Sequence, residues 1–189
     1  MNKILIISFL VVTLFQGFAQ KPGEIIFSSS PVDPASPAGL KTMFSAGDYL
    51  YTVAFLPQTI KEIYVNASPN EKLLVEVFIY AIVPPLYDYQ QPREEQLTFA
   101  NAYISGELKN KNHLVLELVP DPATTMVYNT PGLTWNKFGK KYEGPVGFAE
   151  ALAKLGPGEH TLKVVVQCYY SPAATGTIKI KGDDFTRYN

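Results

Sequence analysis

The sequence predicts an all-β chain, a single two-sheet antiparallel β-sandwich of about eight strands. Three observations predict it. Its 15 prolines and 13 glycines fall mostly between short apolar runs, which is how turns punctuate strands. Several of those runs alternate apolar and polar residues at period two, the repeat of a half-buried strand whose successive side chains point to opposite faces. Helical spacing is confined to one stretch, near residues 146–155, so the repeating strand–helix order of a parallel α/β sheet is missing.

The chain opens on MNKILIISFLVVTLFQGFAQ. Lys3 supplies a positive charge, residues 4–15 are apolar apart from Ser8 and Thr13, and Gly17 and Ala19 are the small side chains that a signal peptidase reads. A membrane-spanning helix needs roughly 20 apolar residues, so this run is expected to be a cleavable export signal over residues 1–19. No cysteine follows it, so no lipid anchor is expected, and the mature protein is placed in the periplasm or outside the cell. Residues 20–189 are expected to form one domain. About 170 residues lie within the usual range and bury enough surface to need no disulfide. The lone cysteine cannot make an internal one.

The elements follow in order. Residues 24–28 are a short strand candidate, and the proline-rich stretch 29–39 (SSPVDPASPAG) is a surface strap. In GDYLYTVAFL, Tyr49, Tyr51, Val53 and Phe55 share a face opposite Asp48, Leu50, Thr52 and Ala54, which predicts a half-buried strand. Residues 60–65 are another strand candidate. Residues 77–83 are apolar on both faces and stop at Pro84-Pro85, which predicts a central strand covered on both sides. Residues 84–95 read as a loop and 96–104 as a strand. In NHLVLELVP, Leu114, Leu116 and Leu118 face the core while His113, Val115 and Glu117 face away. Residues 120–144 form a loop long enough to be functional or to hide an element. Phe148, Leu152 and Leu155 stand at i, i+4 and i+7, between Pro145 and Gly156-Pro157, which predicts a short helix over 146–155. Residues 160–170 form a strand, as does TIKIKGD, with Ile178 and Ile180 inward.

The chemistry of the chain is mostly exclusion. A formal net charge of −1 leaves no basic footprint for nucleic acid, and nothing beyond the signal is long and apolar enough to span a membrane. His160 and Cys168 invite a nucleophile–base reading. Eight residues of continuous strand separate them by roughly 26 Å, and alternation sends Cys168 inward beside Val164 and Val166. A thiol so buried is inert. No nucleophile elbow, phosphate loop, dinucleotide fingerprint or zinc motif is present, so no catalytic residue, metal or cofactor is expected. The carboxylates of residues 182–184 (GDD) and Asp121 read as turn acceptors, not calcium ligands. Glu76 is the one acidic residue in surroundings of the kind that raise a pKa. With no partner carboxylate it reads as a sheet-edge or solvent-facing position before burial becomes two-sided, and Glu94-Glu95 read as solvated charge beside Arg93.

Aromatic rings remain. LYDYQQP carries Tyr87 and Tyr89, and LTWNKFGKKYEG carries Trp135, Phe138 and Tyr142 among lysines, both in stretches read as loops. Such rings either close the ends of the core or offer flat faces to a glycan or protein partner. These five are the candidate ligand-binding residues. The signal, the alternating strands and the helix–turn–strand junction LGPGEHTLKV resemble secreted immunoglobulin-like or jelly-roll-like bodies, an architectural likeness that carries no active residues. The expectation is an exported, non-catalytic binding module. A small hydrolase with a hidden carboxylate pair, or an envelope or matrix protein that self-associates through sheet edges, is the alternative.

Overall fold

A computed structural model describes residues 21–121, 134–137, 140–143 and 148–188, with the backbone alone for 134–137 and 140–143. Two sheets face each other. Strands β1 (Ile25–Ser28), β3 (Leu50–Phe55) and β6 (His113–Val119) form one, in the order β1-β3-β6. The other is ordered β2-β10-β9-β4-β5, from β2 (Met43–Ser45), β4 (Leu73–Val83), β5 (Arg93–Ile104), β9 (Gly158–Cys168) and β10 (Ser171–Gly182). The eight-strand sandwich that the sequence predicts is therefore the architecture. One pair departs from the antiparallel rule: β2 runs parallel to β10, Phe44 beside Ile180. The chain reaches β2 from the opposite sheet after a surface crossing, which frees it from hairpin geometry.

Alternation places the core. Leu114, Leu116 and Leu118 meet Val75, Val77 and Ile79 of β4, Leu162, Val164 and Val166 of β9, and Ile178 and Ile180 of β10 in one cluster. Burying each such side chain contributes about 1.5–3 kcal/mol. Phe148, Ala149 and Leu152 of helix α2 (Phe148–Leu152) close part of this core. Its last turn runs through the Leu155 N–H to Leu152 C=O bond and stops at Gly156-Pro157. The expected 146–155 is longer, and residues 146 and 147 lie outside the described residues.

Four expectations need correction. Residues 60–65 are not a strand: helix α1 (Ile60–Ile63) starts at Thr59, whose hydroxyl accepts the Glu62 N–H while the Glu62 carboxylate accepts the Thr59 N–H. That reciprocal cap stabilises a helix start. Strand β3 is buried on both faces, not one. Its Val53 and Phe55 lie in a second cluster with Val32, part of the 29–39 strap that crosses this sheet. Strand β4 is central, yet its outward residues Phe78, Tyr80 and Ile82 are only half-buried, with no layer over them among the described residues. Finally, β5 begins at Arg93, so Glu94 and Glu95 belong to a strand; Glu94 pairs across the sheet with Lys163 at 2.7 Å.

Candidate functional site

The opening chemical question resolves at β9. Cys168 is buried in the main core, and burial pushes its thiol up to about 12. His160 stands at the other end of the strand, its Nε2 2.7 Å from the Gly156 carbonyl and its ring edge-on to Phe185 at 5.3 Å. His113 has its pKa lowered by burial and, secondarily, by Lys111. Asp184 behaves as a turn acceptor, its Oδ1 taking the Thr186 N–H at 2.9 Å and hydroxyl at 2.6 Å. Among the described residues no three His, Cys, Asp or Glu side chains gather as a metal site would require, and no helix is long and apolar enough to cross a membrane.

The carboxylate that burial raises is Glu117. Glu117 is 1% exposed and both carboxylate oxygens lack a hydrogen-bond partner among the described residues. Burial pushes its pKa up to about 7. Its cross-strand neighbour is Tyr51, whose hydroxyl already accepts the Asp121 N–H at 2.7 Å. Alternation sent Glu117 away from the leucines correctly. That face is closed instead of wet, which a single strand's pattern does not encode.

The predicted aromatic residues separate into two groups. Tyr87 and Tyr89 sit in the β4–β5 connection, on a turn closed by the Gln90 N–H to Tyr87 C=O bond of 2.9 Å. Their rings lie parallel, centroids 5.5 Å apart with an interplanar angle of 3°. At 58% and 81% exposure, they do not cap the core. Leu86, also exposed, adds apolar surface beside them, and a cavity of about 450 Å³ lies at this hairpin tip between Val83, Pro85, Gln90 and Arg93. Trp135 and Tyr142 are not in a loop: they face each other in register in a two-stranded hairpin, β7 (Thr134–Lys137) and β8 (Lys140–Glu143). Phe138 lies outside the described residues. The structure thus brings Tyr87 and Tyr89 together, and sets them apart from Trp135 and Tyr142.

Two aromatic features escaped the sequence reading. On the outer face of the five-stranded sheet, Phe99 of β5 stacks on Phe78 of β4 at 5.8 Å, and Phe78 on Tyr80 at 6.2 Å. Their signal was the apolar both-faces pattern of residues 77–83. At the other end of β4, Tyr169 and Tyr170 form the whole β9–β10 turn, with Cys168 opposite Ser171. The strand predicted to continue through Tyr170 ends at Cys168. No glycine or asparagine announced that turn. No protein-family model and no curated protein matches the chain. What the chain shows is therefore geometry: a β-sandwich with a stacked pair of tyrosines at the β4–β5 connection.

Proposed function

We propose that the protein is an exported, non-catalytic β-sandwich that holds a glycan through the aromatic tip of the β4–β5 hairpin. The observation that carries this reading is the exposed, parallel Tyr87–Tyr89 pair. Rings left this exposed contribute little to the core, whereas an open ring face stacks on the apolar face of a sugar at low entropy cost. Asp88, Gln90 and Gln91, exposed neighbours of the pair in the chain, carry groups able to bond sugar hydroxyls. Export rests on residues 1–19, and mature protein beginning at Gln20 is its check. A hydrolase would need two carboxylates about 5–9 Å apart across a cleft, and Glu117 is sealed from any substrate.

Affinity electrophoresis through a panel of soluble polysaccharides tests the reading. Retardation by at least one polysaccharide, lost in Tyr87→Ala and Tyr89→Ala, is the expected result. A wild-type mobility unchanged across the panel overturns it. A second reading, self-association, is favoured by β5. It is an edge strand with no neighbour on its far side among the described residues, and residues 96–104 carry no charge, the arrangement that invites edge pairing. A monomeric mass in sedimentation equilibrium at all accessible concentrations removes it.

A further inference from the structure

Two-residue hairpin turns with positive φ at both positions favour Asn-Gly, because a side-chain Cβ crowds the carbonyl in the left-handed region. Here Tyr169 (φ 51°) and Tyr170 (φ 63°) occupy both positions. Each costs about 1–2 kcal/mol relative to glycine, and Tyr170, 80% exposed, recovers little of that by packing. The turn is tied down through Tyr64: the Tyr169 N–H donates to the Tyr64 hydroxyl at 2.8 Å, and that hydroxyl donates to the Leu74 carbonyl. The Tyr64 and Tyr169 rings meet edge to face, 5.5 Å apart at 82°. Between them and the start of β4 open two adjoining clefts of about 320 and 240 Å³, which share Tyr64, Glu71 and Tyr169. Glu76 and Lys72 line the second cleft with Tyr170. Glu71 accepts the Ser68 N–H, whereas the Glu76 side chain makes no hydrogen bond or ion pair among the described residues.

We propose that this tyrosine-walled cleft binds an organic cation, an alkylammonium or guanidinium group. Tyr64, Tyr169 and Tyr170 all line the second cleft and an aromatic ring attracts a cation through its negative quadrupole, while two carboxylates against one lysine leave the rim with a negative balance. Lys72 has a long flexible stem that keeps its ammonium in water, so it does not have to fill the cleft. The strained turn then has a reason: the rings are held out for a guest that neither Asn nor Gly would stack on. The site lies about 35 Å from the Tyr87–Tyr89 tip, one length of β4 away, and stands independently of the glycan reading.

The test is NMR titration of the full mature chain with tetramethylammonium chloride and with arginine methyl ester, against matched sodium chloride. A neutral isostere, tert-butanol, serves as control. Expected are saturable shifts at Tyr169 and Tyr170 with both cations and none with the alcohol. Affinity should fall about fivefold in Glu76→Gln and in Tyr170→Asn. Asparagine tolerates the left-handed region, so Tyr170→Asn keeps the turn, and its unchanged spectrum elsewhere confirms the fold. Equal response to the alcohol, indifference to Glu76→Gln, or no saturable shift in the wild type each overturns the proposal. Shifts confined to Tyr87 and Tyr89 do so as well.

Discussion

Replacing Glu117 by glutamine should make the protein more stable at pH 8, and by an amount the structure sets. The side chain is 1% exposed and its carboxylate is unpartnered among the described residues, so ionising it in the folded state costs free energy that the unfolded chain does not pay. Burial raises the folded pKa from 4.5 to about 7. At about 1.4 kcal/mol per unit, the difference amounts to about 3 kcal/mol. The sign follows from proton counting. Between pH 4.5 and about 7 the folded protein holds a proton that the unfolded chain has released, so stability falls as pH rises through this window and is level above it. Glutamine mimics the protonated acid and never ionises.

Other groups titrate nearby. The lowered pKa of His113 makes its contribution weaken as pH falls through the histidine range, the opposite slope. Glu62, Glu159 and Asp184, held low by Thr59, Lys179 and Thr186, lose their contributions only below the ordinary carboxylate range. All of these cancel in the difference between wild type and Glu117→Gln. Urea unfolding of both proteins from pH 4.5 to 8 therefore isolates one group. The two curves should nearly meet at pH 4.5 and diverge to about 3 kcal/mol at pH 8, with glutamine on top. A pH-independent difference, or a variant less stable at pH 8, refutes the argument.

Two further outcomes follow from packing. In Gly176→Ala the new Cβ would lie 2.6 Å from both the Ile25 carbonyl oxygen and the Phe27 ring. The two sheets approach there, backbone must move, and a loss of about 2–3 kcal/mol in urea unfolding is expected; a loss below about 1 kcal/mol would mean that the contact is soft. Cys168, with its thiol pushed up to about 12 in the core, should stay unreactive toward a thiol-specific disulfide reagent at pH 8. It should label only at the rate of unfolding, and rapid labelling of the native protein would contradict its placement.

How far the sequence could be read depends on the range of the force involved. Alternation is local, so Leu114, Leu116, Leu118, Ile178, Ile180 and the inward Cys168 were legible from spacing alone. The cap that makes residues 60–63 a helix was also legible in principle, since Thr59 and Glu62 carry the capping-box spacing, but the β-branched and aromatic content of the segment (Ile60, Ile63, Tyr64, Val65) favours a strand reading. Coverage of an outer face is different. Whether β3 or β4 carries a second layer depends on where the 29–39 strap lands, and the apolar runs of the two strands look alike. Val32 landed on Val53 and Phe55, which buried β3 twice over and left Phe78 and Tyr80 beside Phe99 in the open. Charge misled for a related reason. Arg93, Glu94 and Glu95 read as solvent-bound loop, yet a cross-strand partner such as Lys163 lets a charged segment pair as an edge strand.

The same contrast explains why the turn at Tyr169 and Tyr170 hid while Tyr87 and Tyr89 were legible only as loop aromatics. Sequence rules describe residues that satisfy local preference, and each candidate here violates one. Tyr87 and Tyr89 are large rings left in water, and Tyr169 and Tyr170 are bulky residues in a conformation suited to asparagine and glycine. A chain selected for stability alone would put a turn-former at residue 170, because an 80% exposed ring returns too little packing to offset the backbone strain. Keeping tyrosine there costs stability that the packing of the ring does not return, and the proposed cation site is one account of that imbalance.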